Sequence, residues 1–171
     1  MKNLILSLLL VTSAASAANP EDFTVKSATS SESFSLKDAR GKYVAVHFLL
    51  KTECPVCLRH TREHFAKAAT LPNVVQLFLK PDNDQEIEAW SKKLPPEELK
   101  KHPIYRDADA ALAKAFGIPD GYAFHGQVVH YPATVLLEPD GKEVFRYVGK
   151  NNGDRLSFDK LAAKVAELSG E

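Results

Sequence analysis

The run Tyr43-Val44-Ala45-Val46-His47-Phe48-Leu49-Leu50 constrains the fold more than any other part of this chain. It is almost wholly apolar and rich in β-branched and aromatic side chains, so it suits a strand that offers neither face to water. Such a strand needs cover on both sides and therefore a central place in a sheet flanked by helices. The rest of the sequence supplies those partners. Ser27 to Ser35 is polar and serine-rich and predicts the turn of an N-terminal hairpin, with Phe34 and Leu36 alternating as an edge strand up to Gly41. Leu58 to Ala69 has a helical pattern, and Val74 to Leu79 is a second buried strand after the turn pair Pro72-Asn73. Asp84 to Leu94 predicts a helix capped by Asp84, with Ile87 and Trp90 on its core face and Pro95-Pro96 as its stop. Glu97 to Lys101 predicts a short further helix.

Ile104-Tyr105 then begins a short strand, and Asp109 to Phe116 a helix stopped by Gly117. Asp120 to Val129 reads as a long loop. Thr134 to Leu137 and Glu143 to Val148 form a hairpin around Glu138-Pro139-Asp140-Gly141. A last amphipathic helix, capped by Asp154 or Ser157, carries Phe158, Leu161, Val165 and Leu168 on its apolar side. Strands alternating with helices and closing on an antiparallel hairpin predict an α/β domain: a mixed central sheet, helices on both faces and an N-terminal β-hairpin extension.

The first residues bear on the compartment. Lys2, the apolar stretch Leu4 to Val11 and the small residues around Ala15-Ser16-Ala17 have the order of a secretory signal peptide cleaved after Ala17. Residues 1–17 are then a leader and 18–171 a single exported domain, periplasmic or secreted, with no membrane span in the mature chain. The remaining length of about 150 residues is enough for one well-formed core. Basic and acidic residues balance at 22 each, so no broad field draws the protein to nucleic acid.

The two cysteines sit together in Cys54-Pro55-Val56-Cys57. A pair so close closes a very small loop and restrains the unfolded chain little, so it makes a poor staple. Two cysteines also fall short of a four-ligand zinc site. In an exported protein they read instead as a redox pair cycling between dithiol and disulfide. Cys54 falls where loop passes into helix, and Pro55 fits the first helical turn, where its missing N–H costs nothing. Unpaired N–H groups and the positive helix end there favour a thiolate and bring a cysteine pKa from about 8.5 to roughly 3.5–7.5. Cys54 is accordingly the nucleophile, and Cys57, one turn further in, the resolving thiol. The chemistry calls for no cofactor beyond the Cys54–Cys57 disulfide itself, and its partners are protein clients or a redox partner held by transient mixed disulfides.

Three segments together resemble the thioredoxin superfamily, in particular its exported redoxin branch of TlpA-like oxidoreductases and peroxiredoxins. One is the strand Tyr43–Leu50 leading into the cysteine motif. Another is Asp107-Ala108-Asp109-Ala110-Ala111-Leu112-Ala113-Lys114-Ala115-Phe116-Gly117-Ile118, and the third Tyr131-Pro132-Ala133-Thr134-Val135-Leu136-Leu137-Glu138-Pro139-Asp140-Gly141-Lys142. The resemblance implies a thioredoxin-like fold and a thiol–disulfide oxidoreductase. It also implies a cis Tyr131–Pro132 bond lying against the sulfurs and guiding substrate backbone. His47 then stands where such proteins place a buried acid beneath the cysteines, making His47, or else Glu53, a candidate proton shuttle for Cys57. Pro55, Val56, His130 and Tyr131 are expected to border the substrate groove.

His60 and His64 are one helical turn apart and, with Cys57, form a conceivable metal set. Beside Arg59, Arg62 and Glu63 they read instead as a solvated helix face, and no metal is expected. Two other activities follow from the same resemblance. A peroxidase resembles Pro-x-x-x-Thr-x-x-Cys with a distant arginine; here Thr52 stands two residues before Cys54, and Tyr131-Pro132 occupies the arginine's expected place. Exported copper-handling relatives resemble Cys-x-x-x-Cys, one residue longer than this pair.

Overall fold

The computed structural model describes residues 20, 22–51, 53–124 and 127–170. The leader segment predicted over residues 1–17, and Thr52, lie outside that set. The strands are β1 (Thr24–Lys26), β2 (Ser33–Ser35), β3 (Tyr43–Phe48), β4 (Val74–Lys80), β5 (Ile104–Arg106), β6 (Asp120–Phe124), β7 (Gln127–His130), β8 (Ala133–Leu137) and β9 (Glu143–Val148). The α-helices are α1 (Pro55–Lys67), α2 (Asp84–Ser91), α3 (Pro96–Lys101), α4 (Ala111–Ala115) and α5 (Phe158–Ser169). The central sheet runs β5-β4-β3-β8-β9. β3, β4 and β5 are mutually parallel, whereas β8 is antiparallel to β3 and β9 antiparallel to β8. Two small hairpins, β1–β2 and β6–β7, stand outside it. Among the described residues no helix is long and apolar enough to cross a membrane.

The alternation of side chains along each strand sorts the sheet into two unlike faces. Val44, Val46 and Phe48 of β3, with Leu77 and Leu79 of β4 and Val135 and Leu137 of β8, pack with Phe116 and Ala113 and with Val25 of the N-terminal hairpin. Ala45, Phe78 and Leu136 lie in the clusters formed with α1, α2 and α5, through Phe65, Ile87, Trp90, Leu161 and Val165. That second face is where the sequence places polar residues in the interior. His47, Gln76 and Thr134 are all buried there, and in register His47 pairs with Phe78 on one side and Thr134 on the other.

Several elements depart from the sequence expectations for local reasons. Asn83, not Asp84, caps α2: its side chain accepts from the Glu86 N–H while the Glu86 carboxylate accepts from the Asn83 N–H, a reciprocal capping box. The α-helix ends at Ser91, and Leu94 lies in the turns beyond it. The helix expected from Asp109 is broken. Asp109 and Ala110 are left-handed (φ 55° and 54°), and the Asp107 carboxylate accepts from the N–H groups of Leu112 and Ala113, so α4 starts only at Ala111. Gly117, at φ 65°, ends it as expected. Leu36 leaves the edge strand for a 3-10 turn over Leu36–Ala39. The predicted loop Asp120 to Val129 contains the β6–β7 hairpin instead.

Candidate active site

β3 ends at Phe48, and Leu49 and Leu50 carry the chain, buried, to the start of α1. Cys54 is the N-cap of that helix and Pro55 its first residue. The Cys54 sulfur accepts a hydrogen bond from the Cys57 N–H at 3.0 Å, so one of the helix's unpaired donors is spent on the sulfur. Cys54 is half-buried and Cys57 wholly buried, and the two are joined as a disulfide. The Leu50 N–H donates to the Cys57 sulfur at 3.4 Å. One sulfur is therefore reachable from outside and the other is held from inside, as the order along the helix predicts.

A cation that the sequence reading missed completes the arrangement. The Arg155 guanidinium donates to the Cys57 sulfur at 3.2 Å and to that of Cys54 at 3.6 Å. The loop between β9 and α5 delivers it. Gly149 permits the loop to fold back, since a Cβ there would lie 2.3 Å from the Asp154 carbonyl oxygen and 2.8 Å from Pro132. The Asp154 carboxylate accepts from the Tyr147 hydroxyl (2.5 Å) and the Lys150 N–H (2.9 Å). Arg155 itself donates to the carbonyls of Asn152 and Asp154. Those two bonds hold the guanidinium in place, so its approach to the sulfurs is preorganised. A fixed positive charge beside both sulfurs favours either as a thiolate.

Beneath the disulfide, three histidines converge. His47 and His64 are wholly buried and His60 nearly so, which overturns the reading of His60 and His64 as a solvated face. The charged neighbours Arg59, Arg62 and Glu63 project from the other side of α1, whereas Cys57, His60, Thr61 and His64 share its inner face. His47 Nδ1 lies 3.1 Å from the Thr134 hydroxyl and 3.3 Å from His60 Nε2. His64 Nδ1 lies 2.7 Å from Gln76 Oε1. His47 also stacks on Phe78, with ring centroids 4.6 Å apart. Burial pushes the pKa of all three down, strongly for His47 and His60, where neighbouring histidines push it further, and less for His64, whose bonds to Gln76 and the Leu156 carbonyl oppose it.

These shifts fix a pH dependence of stability. Each histidine stays neutral in the folded chain below its ordinary value of about 6.5, while the unfolded chain takes up the proton there. The stabilisation is complete above pH ~6.5 and is lost as pH falls through that value towards the depressed folded pKa. Urea midpoints are expected to drop steadily between pH 7.5 and 5.5 at constant m, and His64→Gln should flatten that slope. A midpoint flat across the range would contradict the buried neutral cluster.

The remaining predicted site residues fall into place unequally. Glu53 is exposed and its carboxylate faces Lys93 at 3.6 Å, so it stands at the surface rather than beneath Cys57. Pro132 is buried and its carbonyl accepts from the Gly149 N–H. No cis peptide bond occurs among the described residues, so Tyr131–Pro132 is trans, contrary to the resemblance. Tyr131 packs its ring over Gly121, where a Cβ would come within 2.9 Å. His130 is buried, with Nδ1 at 2.6 Å from the Tyr131 carbonyl, and it lines a cavity of about 200 Å³ with Lys51, Lys114, Asp120 and the exposed Val128. Pro55 is exposed and Val56 half-buried beside the cysteines.

One more buried group supports the motif. The Lys80 ammonium, wholly buried, donates to the Leu50 carbonyl at 2.7 Å and pairs with the buried Asp82 at 3.0 Å. It also lies over the Trp90 ring. Leu50 is thus held by its carbonyl to Lys80 and by its N–H to the Cys57 sulfur.

The Redoxin family model matches residues 14–164. No curated protein matches the chain. Among solved structures, the reduced 2-Cys peroxiredoxin of Plasmodium vivax is similar at 21% identity, covering 90% of this chain and 94% of that one, with a TM-score of 0.70. The DsbF of MTB, in mixed oxidised and reduced forms, is similar at 22% identity over 85% of this chain and 94% of its own, TM-score 0.64. The exposed lipoprotein thioredoxin of Streptococcus pneumoniae strain TIGR4 is similar at 19% identity over 85% and 98%, TM-score 0.66. At such identities these structures show the fold, which is thioredoxin-like. Since the family model spans most of its length, this chain belongs to the Redoxin family, and its chemistry is thiol-based redox chemistry.

Proposed function

We propose that this protein is an exported thiol–disulfide oxidoreductase that exchanges disulfides with protein or small-thiol substrates through Cys54 and Cys57. The observation that carries the reading is the unequal placement of the two sulfurs at the start of α1, one half-exposed and one buried, both within reach of Arg155. In the reducing direction the Cys54 thiolate attacks a substrate disulfide, forming a mixed disulfide and expelling one substrate thiolate. The Cys57 thiolate then attacks the Cys54 sulfur, and the second substrate thiolate leaves. The substrate is reduced by two electrons and the protein is left as the Cys54–Cys57 disulfide; the oxidising direction is the same sequence reversed. His47, buried beneath that helix face, is the candidate acceptor for the proton Cys57 must lose; burial holds its pKa down, so it would pass the proton on and not keep it. Pro132, Tyr131 and His130, with Pro55 and Val56, are the proposed border of the substrate groove. The leader-like N-terminus supports export, to the periplasm or beyond the cell.

A second reading is favoured by Arg155 alone. A guanidinium beside a cysteine suits polarisation of a peroxide, with Cys54 attacking oxygen, an alcohol or water leaving, and Cys57 condensing with the sulfenic acid to give the disulfide and water. Peroxide consumption separates the two. The exchange reading expects the reduced protein to reduce a protein disulfide rapidly and to consume hydrogen peroxide no faster than an ordinary low-pKa thiol. Under it, Arg155→Gln should slow alkylation of Cys54 near neutral pH several-fold and move its pH midpoint upward. Rapid peroxide turnover lost with Arg155→Gln, alongside feeble disulfide reduction, would establish the peroxidase instead.

A further inference from the structure

A guanidinium beside the cysteine motif has no part in the exchange chemistry itself. Arg59 is exposed on α1 just after Cys57, and among the described residues it has no hydrogen-bond or ion-pair partner. Side chains three and four positions apart share a helix face, so Val56, Arg59 and Glu63 form one stripe along α1. That stripe is one wall of a surface cavity of about 240 Å³, and Asp154 and Arg155, from the loop before α5, belong to the other. The cavity adjoins the reacting sulfurs, since Val56 stands between the two cysteines and Arg155 donates to both.

The charges around this cavity are committed unequally. Asp154 accepts from the Tyr147 hydroxyl and the Lys150 N–H, and Glu63 faces Lys67 at 3.5 Å. Arg155 is spent on the carbonyls of Asn152 and Asp154 and on the two sulfurs. Arg59 is left as the lining cation without a counter-ion, and the planar fork of a guanidinium matches a carboxylate. The spacing also suits a peptide. From Cys54 to Arg59 the helix rises about 7.5 Å, which an extended chain covers in about two residues.

We propose that this cavity is a carboxylate subsite of the client groove, read by Arg59, so that the protein prefers disulfides with an acidic residue two positions from the cysteine. The inference rests on the exchange reading and names a substrate class for it. The chemistry is unchanged: the Cys54 and Cys57 thiols give up two electrons and two protons and close as a disulfide, and the client disulfide leaves as two thiols.

The experiment measures the second-order rate at which three symmetrical peptide disulfides oxidise the fully reduced protein, scored by quenched alkylation. The peptides are identical except two positions before and after the cysteine, where both residues are glutamate, glutamine or lysine. The expected order is glutamate, then glutamine, then lysine. Arg59→Gln should cut the glutamate-to-glutamine ratio about two- to fivefold, the range of an exposed ion pair, and Arg59→Glu should turn the preference towards lysine. Arg62→Gln removes the same charge from α1 at an exposed residue that donates to the Lys93 carbonyl and lies outside the cavity; it should keep the wild-type ratio. Salt near 1 M, where charges are screened within about 3 Å, should erode the preference. Equal rates for the three peptides would overturn the proposal. So would a preference unchanged in both Arg59 variants, which would leave it to Arg155, or a loss as large in Arg62→Gln, which would reduce it to overall charge. Exchange itself survives each of those results. Failure of all three peptides to oxidise the wild-type protein overturns the exchange reading, and the subsite falls with it.

Discussion

Cys57→Ser is expected to accumulate mixed disulfides with client proteins, while Cys54→Ser accumulates few or none. The difference follows from where the two sulfurs sit. Cys54 is half-exposed at the N-cap, accepts the Cys57 N–H and has Arg155 at 3.6 Å, so it attacks and is attacked. With Cys57 replaced, no internal thiol remains to expel the client, and the intermediate lasts. With Cys54 replaced, the surviving thiol is wholly buried beneath Leu50 and Arg155 and meets clients poorly. Turnover of protein disulfides should fall to the uncatalysed level in both variants, so the trapped species, not the activity, discriminates. The measurement is non-reducing electrophoresis of exported extracts carrying each variant, with bands identified after reduction. Pro132→Ala should alter which clients are trapped by the Cys57→Ser protein while leaving Cys54 reactive towards small thiols. Equal trapping by both cysteine variants would contradict the division of labour.

Asp82→Ala is expected to destabilise the fold by about 3–5 kcal/mol, the usual cost of stripping one partner from a buried ion pair. Lys80 and Asp82 are both fully buried and 3.0 Å apart. Burial already pushes the Lys80 pKa down, with Asp82 the main opposing influence, so removing Asp82 leaves the ammonium without its chief compensation. Replacing both by apolar residues of similar size, Lys80→Met with Asp82→Leu, should cost much less, because no charge is then buried. The double variant would nonetheless lose the bond from Lys80 to the Leu50 carbonyl. Its Cys57 should therefore be alkylated faster in the reduced protein, since Leu50 also donates to that sulfur. Denaturant unfolding of the three variants checks the first claim and peptide-mapped alkylation the second. A loss in Asp82→Ala below ~1 kcal/mol would contradict the ion pair's buried geometry.

The parts of this molecule that obey a period were legible in the sequence. β3 announced itself as a continuous apolar run, α5 by its stripe of Phe158, Leu161 and Val165, and the β8–β9 hairpin by Pro139-Asp140-Gly141. Cys54 and Pro55 marked the start of α1 because caps and first-turn prolines are local chemistry. What escaped was non-local. Arg155 reaches a sulfur 98 residues away by way of a loop whose course depends on Gly149 and Asp154. The histidines were misread because Arg59, Arg62 and Glu63 dominate the local charge pattern. The signal that separates them was nevertheless present: Cys57, His60 and His64 recur at helical spacing in line with the core, and Phe65 lies beside them. Lys80 ends β4 and Asp82 follows two residues later, and no local rule distinguishes a charge that pairs in the interior from one that points to water. The break before α4 likewise follows from the Asp107 carboxylate capping from outside the helix.

Cys54 and Cys57 are expected to be a working redox pair and not a fixed cross-link. Equilibrating the protein in glutathione buffers of graded potential, quenching with an alkylating agent and scoring free thiols by mass tests this most directly. The predicted result is a single two-electron transition, one disulfide per chain, reversible from both directions and centred within the range of roughly −270 to −120 mV spanned by catalytic pairs of this fold. A disulfide that stays closed below about −300 mV, where structural bridges lie, would contradict it.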